Sequence, residues 1–262
     1  MTFNLDSITR GSTCRPPRII LLGVEKIGKS TFASGSDAPI FLPIKGEEGI
    51  DDLDVAQFPT ANTLHDTLTA LRTLQTEPHE YGTVVIDSVS ALEALVHADV
   101  CQENGNVDSI EKVGGGYAKG YTESLSRWRH ITEWLDALRT MRNMASIIVG
   151  HVTVKRFDDP AGDSYDQYQF DIHGKAANLL YRWADVILFA NTKVVVKKED
   201  VGFNKEKARG IDVTGGARFL YTQKRPAHPG GGRGAYGRLP YELPLDWNSF
   251  MDAVTTAMQE RS

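Results

Sequence analysis

Apolar runs alternate with helical stripes along most of this chain. Arg18-Ile19-Ile20-Leu21-Leu22 leads into a glycine, and Ala38-Pro39-Ile40-Phe41-Leu42-Pro43-Ile44 follows after a short helix-compatible segment. Unbroken apolar runs of this length, closed by turn residues, are the pattern of strands buried on both faces. Leu64, Leu68 and Leu71 then recur at helical spacing and predict a helix from about Ala61 to Gln75, ending near Pro78. Thr83-Val84-Val85-Ile86 predicts another buried strand, followed by a helix from about Val89 to Gln102. Beyond Gly114-Gly115-Gly116, the stripe Leu125, Trp128, Ile131, Leu135 and Leu138 predicts a long helix facing the core. Strands recur at Ser146–Val149, Asp185–Phe189 and Arg218–Tyr221, and an amphipathic helix is expected from about Trp247 to Gln259.

Short apolar strands alternating with helices are the signature of βαβ units, so the pattern predicts an α/β fold with a mostly parallel central sheet and helices on both faces. No internal repeat or interdomain linker interrupts it. One domain is expected over residues 18–262, after a short extension over 1–17. Residues 105–121, 153–173 and 202–216 lack apolar periodicity and read as long loops, which in a compact domain are usually functional or disordered.

Composition narrows this picture little. The chain has 262 residues, 41% apolar and 24% charged, enough for one sizeable core. Its two cysteines, Cys14 and Cys101, make no disulfide framework, and no apolar run is long enough to span a bilayer. The first residues lack the layout of a secretion signal, so a cytoplasmic protein is expected. Charge changes the picture more. Residues 193–238 hold 11 Lys/Arg against 4 Asp/Glu, a net +7 that leaves −12 for the rest of a chain whose total is −5. That segment is either a solvated basic ribbon or a surface built to face anions.

The decisive motif is Gly23-Val24-Glu25-Lys26-Ile27-Gly28-Lys29-Ser30-Thr31, which fits G-x-x-x-x-G-K-[ST] between a strand and a helix. Glycines let successive backbone N–H groups turn toward phosphate oxygens, and the following helix start adds donors and its dipole. Lys29 is expected to reach the β- and γ-phosphates of ATP, and the Ser30 hydroxyl to ligate Mg²⁺. Asp87, at the end of its strand, is the matching magnesium acid. As alternatives to that role, Asp87 or Ser88 could cap the next helix.

These residues resemble RecA. The P-loop carries the RecA-like glutamate at its third position, Glu25, and Val85-Ile86-Asp87-Ser88-Val89-Ser90-Ala91-Leu92 resembles the RecA Walker B segment. Glu47-Glu48-Gly49-Ile50-Asp51 follows the second strand, as the catalytic glutamate segment does in RecA-like ATPases. The resemblance implies that Glu47, or its neighbour Glu48, polarises the attacking water. It implies a γ-phosphate sensor at His151, where RecA has glutamine. Two DNA-facing loops are implied as well, one with Lys112, Tyr117, Lys119 and Tyr121, the other opening Lys155-Arg156-Phe157. Five aspartates in the second loop oppose phosphate binding.

RecA-like ATPases place the nucleotide between subunits, so a homo-oligomer (ring or filament) is implied, with Lys224 or Arg225 supplied in trans. In extent the chain lacks RecA's helical arm and large C-terminal domain. It is similar to small phage-encoded ATPases proposed as single-strand annealing or recombination proteins, which implies single-stranded DNA and a single-strand-binding protein as partners. A nucleotide-controlled regulatory module acting on protein stays open beside this reading. So does a small-molecule kinase, disfavoured by the absence of an Arg-rich lid segment.

Overall fold

A computed structural model describes residues 4, 8, 15–47, 49–160, 162–200, 206–212 and 214–260. The chain opens with β1 (Arg18–Gly23), the short helix α1 (Lys29–Ser34), β2 (Pro39–Pro43) and β3 (Ala56–Gln57). Next come α2 (Leu64–Thr76), β4 (Thr83–Asp87), α3 (Val89–Glu103), a 3₁₀ segment Ile110–Gly115, and α4 (Lys119–Met141). The second half holds β5 (Ala145–Gly150), β6 (Val152–Phe157), β7 (Tyr165–Phe170), α5 (Gly174–Trp183) and β8 (Val186–Thr192). It closes with β9 (Val194–Asp200), β10 (Glu206–Asp212), β11 (Arg218–Tyr221), β12 (Gly231–Gly232), β13 (Glu242–Pro244) and α6 (Trp247–Gln259).

The central sheet runs β13-β11-β8-β1-β5-β4-β2-β3, with β12 paired beside β8. Every pairing from β8 to β3 is parallel, and β11, β12 and β13 add an antiparallel edge. The continuous apolar reading of β1 now has its cause. Ile20 and Leu22 pack into the core under α2, α3, α4 and α5, while Ile19 and Leu21 pack on the other face with Phe32 of α1 and Phe250 and Val254 of α6. A strand with helices on both sides has no polar face to show. In register, the strands end together: Leu22 lies beside Gly150, Gly23 beside Ala190, and Asp87 beside both Pro43 and Val149. The carboxyl ends of β1, β2, β4 and β5 therefore form one crevice.

Local chemistry sets the helix starts. Thr63 and Asp66 form a capping box at α2, each side chain bonding the other's backbone N–H. Ser88 caps α3 by accepting from the Ala91 N–H, which leaves the Asp87 carboxylate for other work.

Three expectations are corrected here. The stretch 153–173 is mostly a hairpin of β6 and β7, and 202–216 contributes β10 to a second two-stranded hairpin with β9. Within 105–121, Ile110–Gly115 forms a 3₁₀ segment and Lys119 already starts α4. In β6 and β7, Val152, Tyr168 and Phe170 pack on the core while Lys155, Arg156 and Asp166 are exposed, too few apolar positions to read as an alternation. Helix α5 also escaped sequence reading.

The opposite end of the sheet is tied by charge. The Asp185 carboxylate accepts from the Arg18 side chain at 2.9 and 3.2 Å and pairs with Arg139 at 2.9 Å, while Arg18 also reaches Asp136 at 3.1 Å. Burial pushes the Asp185 carboxyl up, and the hydrogen bonds and charge of Arg18 and Arg139 more than reverse this. Its folded value is thus depressed, so its stabilisation is complete above the ordinary value of 3.8 and is lost as pH falls through the folded one. Asp185→Asn should leave Arg139, 14% exposed, without its close counter-charge and Arg18, 15% exposed, with Asp136 alone. The expected cost is about 2–3 kcal/mol by urea unfolding at neutral pH, somewhat under that of breaking a fully buried pair.

Candidate nucleotide site

A cavity of about 870 Å³ opens over the crevice, lined by Glu25 to Thr31, Glu47, Asp87, His151 and Arg218 among others. Its floor is the P-loop. Gly28 holds φ +103°, a region that side chains rarely adopt, and Gly23 is required for a different reason. A Cβ on Gly23 would lie 2.7 Å from the Ala190 carbonyl oxygen of β8, so close strand packing fixes that residue. Helix α1 has only six residues, so its macrodipole is small and the loop's own N–H groups are the main phosphate donors.

Lys29 is 6% exposed, and its ammonium donates to the carbonyls of Gly23 at 3.1 Å and Val24 at 2.9 Å. Burial lowers its pKa, and the carboxylates of Asp87, Glu47 and Glu25 pull it back. The charge is held in place beneath the cavity, ready to exchange carbonyl partners for phosphate oxygens.

Ser30 donates its hydroxyl to Asp87 Oδ2 at 2.6 Å. Burial raises the Asp87 pKa, and the Glu47 charge adds to it, against the Ser30 hydrogen bond and the Lys29 charge. A hydroxyl and a carboxylate in contact at a phosphate cradle are a donor pair for Mg²⁺, which takes one or two protein oxygens and fills its octahedron with phosphate and water. These residues fit ATP with magnesium.

On the far wall, Glu47 Oε1 accepts from the Ser88 hydroxyl at 2.6 Å and lies 2.9 Å from His151 Nε2. His151 Nδ1 is 3.5 Å from the Lys29 ammonium, and its backbone N–H donates to Ser90 Oγ at 3.0 Å. A neutral imidazole satisfies both ring contacts, accepting at Nδ1 and donating at Nε2. The His151 hydrogen bond lowers the Glu47 pKa, burial opposes it, and Ser88 adds to the lowering. Glu47 is therefore ionised at neutral pH, with Oε1 occupied and Oε2 left for a water.

The other sequence-predicted residues lie elsewhere. Glu48 falls outside the described residues. Neither Lys224 nor Arg225 lines this cavity: Lys224 faces a separate groove, and the Arg225 guanidinium sits 4.3 Å over the Tyr241 ring. Lys112 pairs with Asp108 at 2.7 Å, Lys119 donates to the Gly114 carbonyl at 2.9 Å, and Tyr117 is almost wholly exposed. Tyr121 stacks on His173 with centroids 3.9 Å apart. Lys155 and Arg156 are exposed on β6, with Phe157 tilted against Tyr165.

Sequence reading missed Arg218 as a site residue. Its Nη1 donates to the Ile27 carbonyl at 3.2 Å, so a guanidinium stands at the lip of the phosphate cradle. It also missed Ser88 as a partner of Glu47. In Arg218's case the only sequence signal was a strand beginning with arginine, and no spacing rule links it to a loop 191 residues earlier.

Compared with known protein families, residues 15–234 match the model of a family described as an AAA domain, well over half of the chain. A comparison with curated proteins gave no match.

Proposed function

The chain belongs to the AAA domain family of P-loop ATPases, and from that premise we propose that it is an ATP-dependent single-stranded-DNA-binding protein of recombination or annealing. One observation carries the reading. His151 contacts Glu47 and Lys29 inside the nucleotide cavity, and the β6–β7 hairpin with exposed Lys155 and Arg156 starts at the very next residue. A change at the phosphates therefore has a one-residue path to the strand that exposes Lys155 and Arg156.

The chemistry follows from the side chains. Bound magnesium supplies positive charge against the phosphate oxygens, and Ser30 and Asp87 would hold it. Lys29 neutralises phosphate charge, and Glu47 orients water and accepts its proton, the modest help that phosphoryl transfer needs. His151 keeps Glu47 ionised and aimed. Arg218 stands where it can add a charge-assisted hydrogen bond to the nucleotide. In a homo-oligomer, ring or filament, a neighbouring copy would complete the site with a cation. Arg225 suits that role better than Lys224, which faces a groove of its own chain.

Turnover of ATP measured with and without single-stranded DNA, beside DNA affinity across a salt series, tests the reading. Stimulation and a steep loss of affinity with salt are expected, because each neutralised phosphate of a single strand contributes roughly −0.7 to the logarithmic slope. DNA-indifferent turnover with no DNA binding overturns it. That outcome favours a second reading, an ATPase that acts on a protein partner. The hairpin supports this alternative through Asp158, Asp159 and Asp163 between its strands.

A further inference from the structure

A second cavity, of about 410 Å³, lies apart from the P-loop, between the β6–β7 hairpin, α5, β8 and the turn that follows β11. Its walls include Lys155, Gln167, Tyr168, Asn178, Tyr181 and Lys224, and no carboxylate lines it among the described residues. The turn is fastened to the hairpin: the Tyr168 N–H donates to the Ala227 carbonyl and the Gln167 amide to the Pro226 carbonyl, both at 2.8 Å. Lys155 from β6 and Lys224 from the turn are thereby held on facing elements of one groove. Both are exposed, and neither has an ion-pair partner among the described residues. The Asn178 side-chain amide makes no hydrogen bond among the described residues, which leaves its donor and acceptor open toward the groove.

The combination is specific in its chemistry. Aromatic side chains with an apolar floor suit a planar ring, amides suit the polar edge of a base, and two unpaired ammonium groups suit phosphates. An acidic peptide would use the two cations as well, but an aromatic slot edged by amides adds a surface on which a planar base can stack.

We propose that this groove seats one base of a single DNA strand, with Lys155 and Lys224 contacting the flanking phosphates. The inference rests on the DNA-binding reading above and adds to it a site that Lys155 and Arg156 of the hairpin alone do not provide. It gives Lys224 a role in its own chain. Because β6 begins at the residue after His151, the groove and the nucleotide cavity are joined by a short continuous stretch of chain.

The test uses the full chain with ATP and magnesium, and fluorescence anisotropy of a dye-labelled oligothymidylate, the same oligomer with abasic positions, and thymidine monophosphate as competitor. The wild type should bind the abasic strand about 5- to 150-fold more weakly than the normal one, the range of a stacking contact worth roughly 1–3 kcal/mol. In the Lys155→Ala/Lys224→Ala protein, whose changes are at exposed positions, the salt slope should become shallower by about 1.4. Asn178→Ala should narrow the difference between normal and abasic strands. Competition by the mononucleotide at concentrations comparable to the strand would overturn the commitment to a strand in favour of a free nucleotide. Wild-type binding with no abasic penalty and no change in slope in the variant overturns the groove alone. No binding of any oligonucleotide overturns the DNA reading itself. Variants that change the sedimentation of the protein but not its intrinsic DNA affinity show that a second copy of the chain fills the groove instead, and so also overturn it.

Discussion

Lys29→Ala is expected to abolish nucleotide binding and to reduce ATP turnover by roughly 10³-fold or more. The ammonium is almost fully buried under the cavity and spends its hydrogen bonds on the carbonyls of Gly23 and Val24. Burial has already stripped most of its water, so its attraction for a phosphate oxygen acts in a low-dielectric pocket and is far stronger than that of a surface lysine. Alanine removes the charge and leaves a gap where it stood. A thermal melt reads the effect without any assay of turnover. At about 100 Kd of ATP with magnesium, the wild type should gain about 2.7 kcal/mol, or roughly 5–10 °C for a chain of this size. The Lys29→Ala protein should gain nothing. An equal nucleotide-dependent shift in both proteins would remove Lys29 from the site.

Glu47→Gln should act on a different quantity. Glutamine keeps the shape and can still accept from Ser88 and His151 through its carbonyl oxygen, so the wall of the cavity should hold. What it loses is the ability to accept a proton. Turnover should fall by about 10²- to 10⁴-fold, and nucleotide affinity should stay within about twofold, the pattern of a group that works only in the transition state. The sign of the pH effect follows from the same contact. The hydrogen bond from His151 depresses the Glu47 pKa against burial, so its carboxylate form is favoured above the ordinary value of 4.5 and is lost as pH falls through the lower folded value. His151→Ala removes that support and should bring the acid limb of turnover up toward neutral pH. A Glu47→Gln protein with wild-type turnover would assign the water to another group.

These two residues also show how far sequence reading reaches. Lys29 was legible outright, since each member of the P-loop has its role fixed by neighbours within nine positions of chain. Asp87 was legible as a strand-end acid. Whether it or Ser88 would cap α3 was open until the side chains were seen: Ser88 accepts from Ala91, and Asp87 turns to Ser30. Glu47 was placed by resemblance, and its physical partners lie 41 and 104 residues away. The hairpin β6–β7 was read as a loop because only Val152, Tyr168 and Phe170 of its strands pack on the core, and polar residues between them hide the alternation that marks a strand.

The amino-acid sequence by itself determined the alternating α/β architecture, the phosphate cradle and the strand-end acid Asp87, because periodicity and the P-loop are properties of contiguous residues. Tertiary structure alone decided that His151 bridges Lys29 and Glu47, that Arg218 reaches the lip of the cradle, and that Lys155 and Lys224 share a groove. Those pairs meet only because parallel strands end at one edge of the sheet, and the turn after β11 folds back on the hairpin. Such meetings depend on register and packing between residues 69 to 191 positions apart, for which a linear pattern leaves no trace.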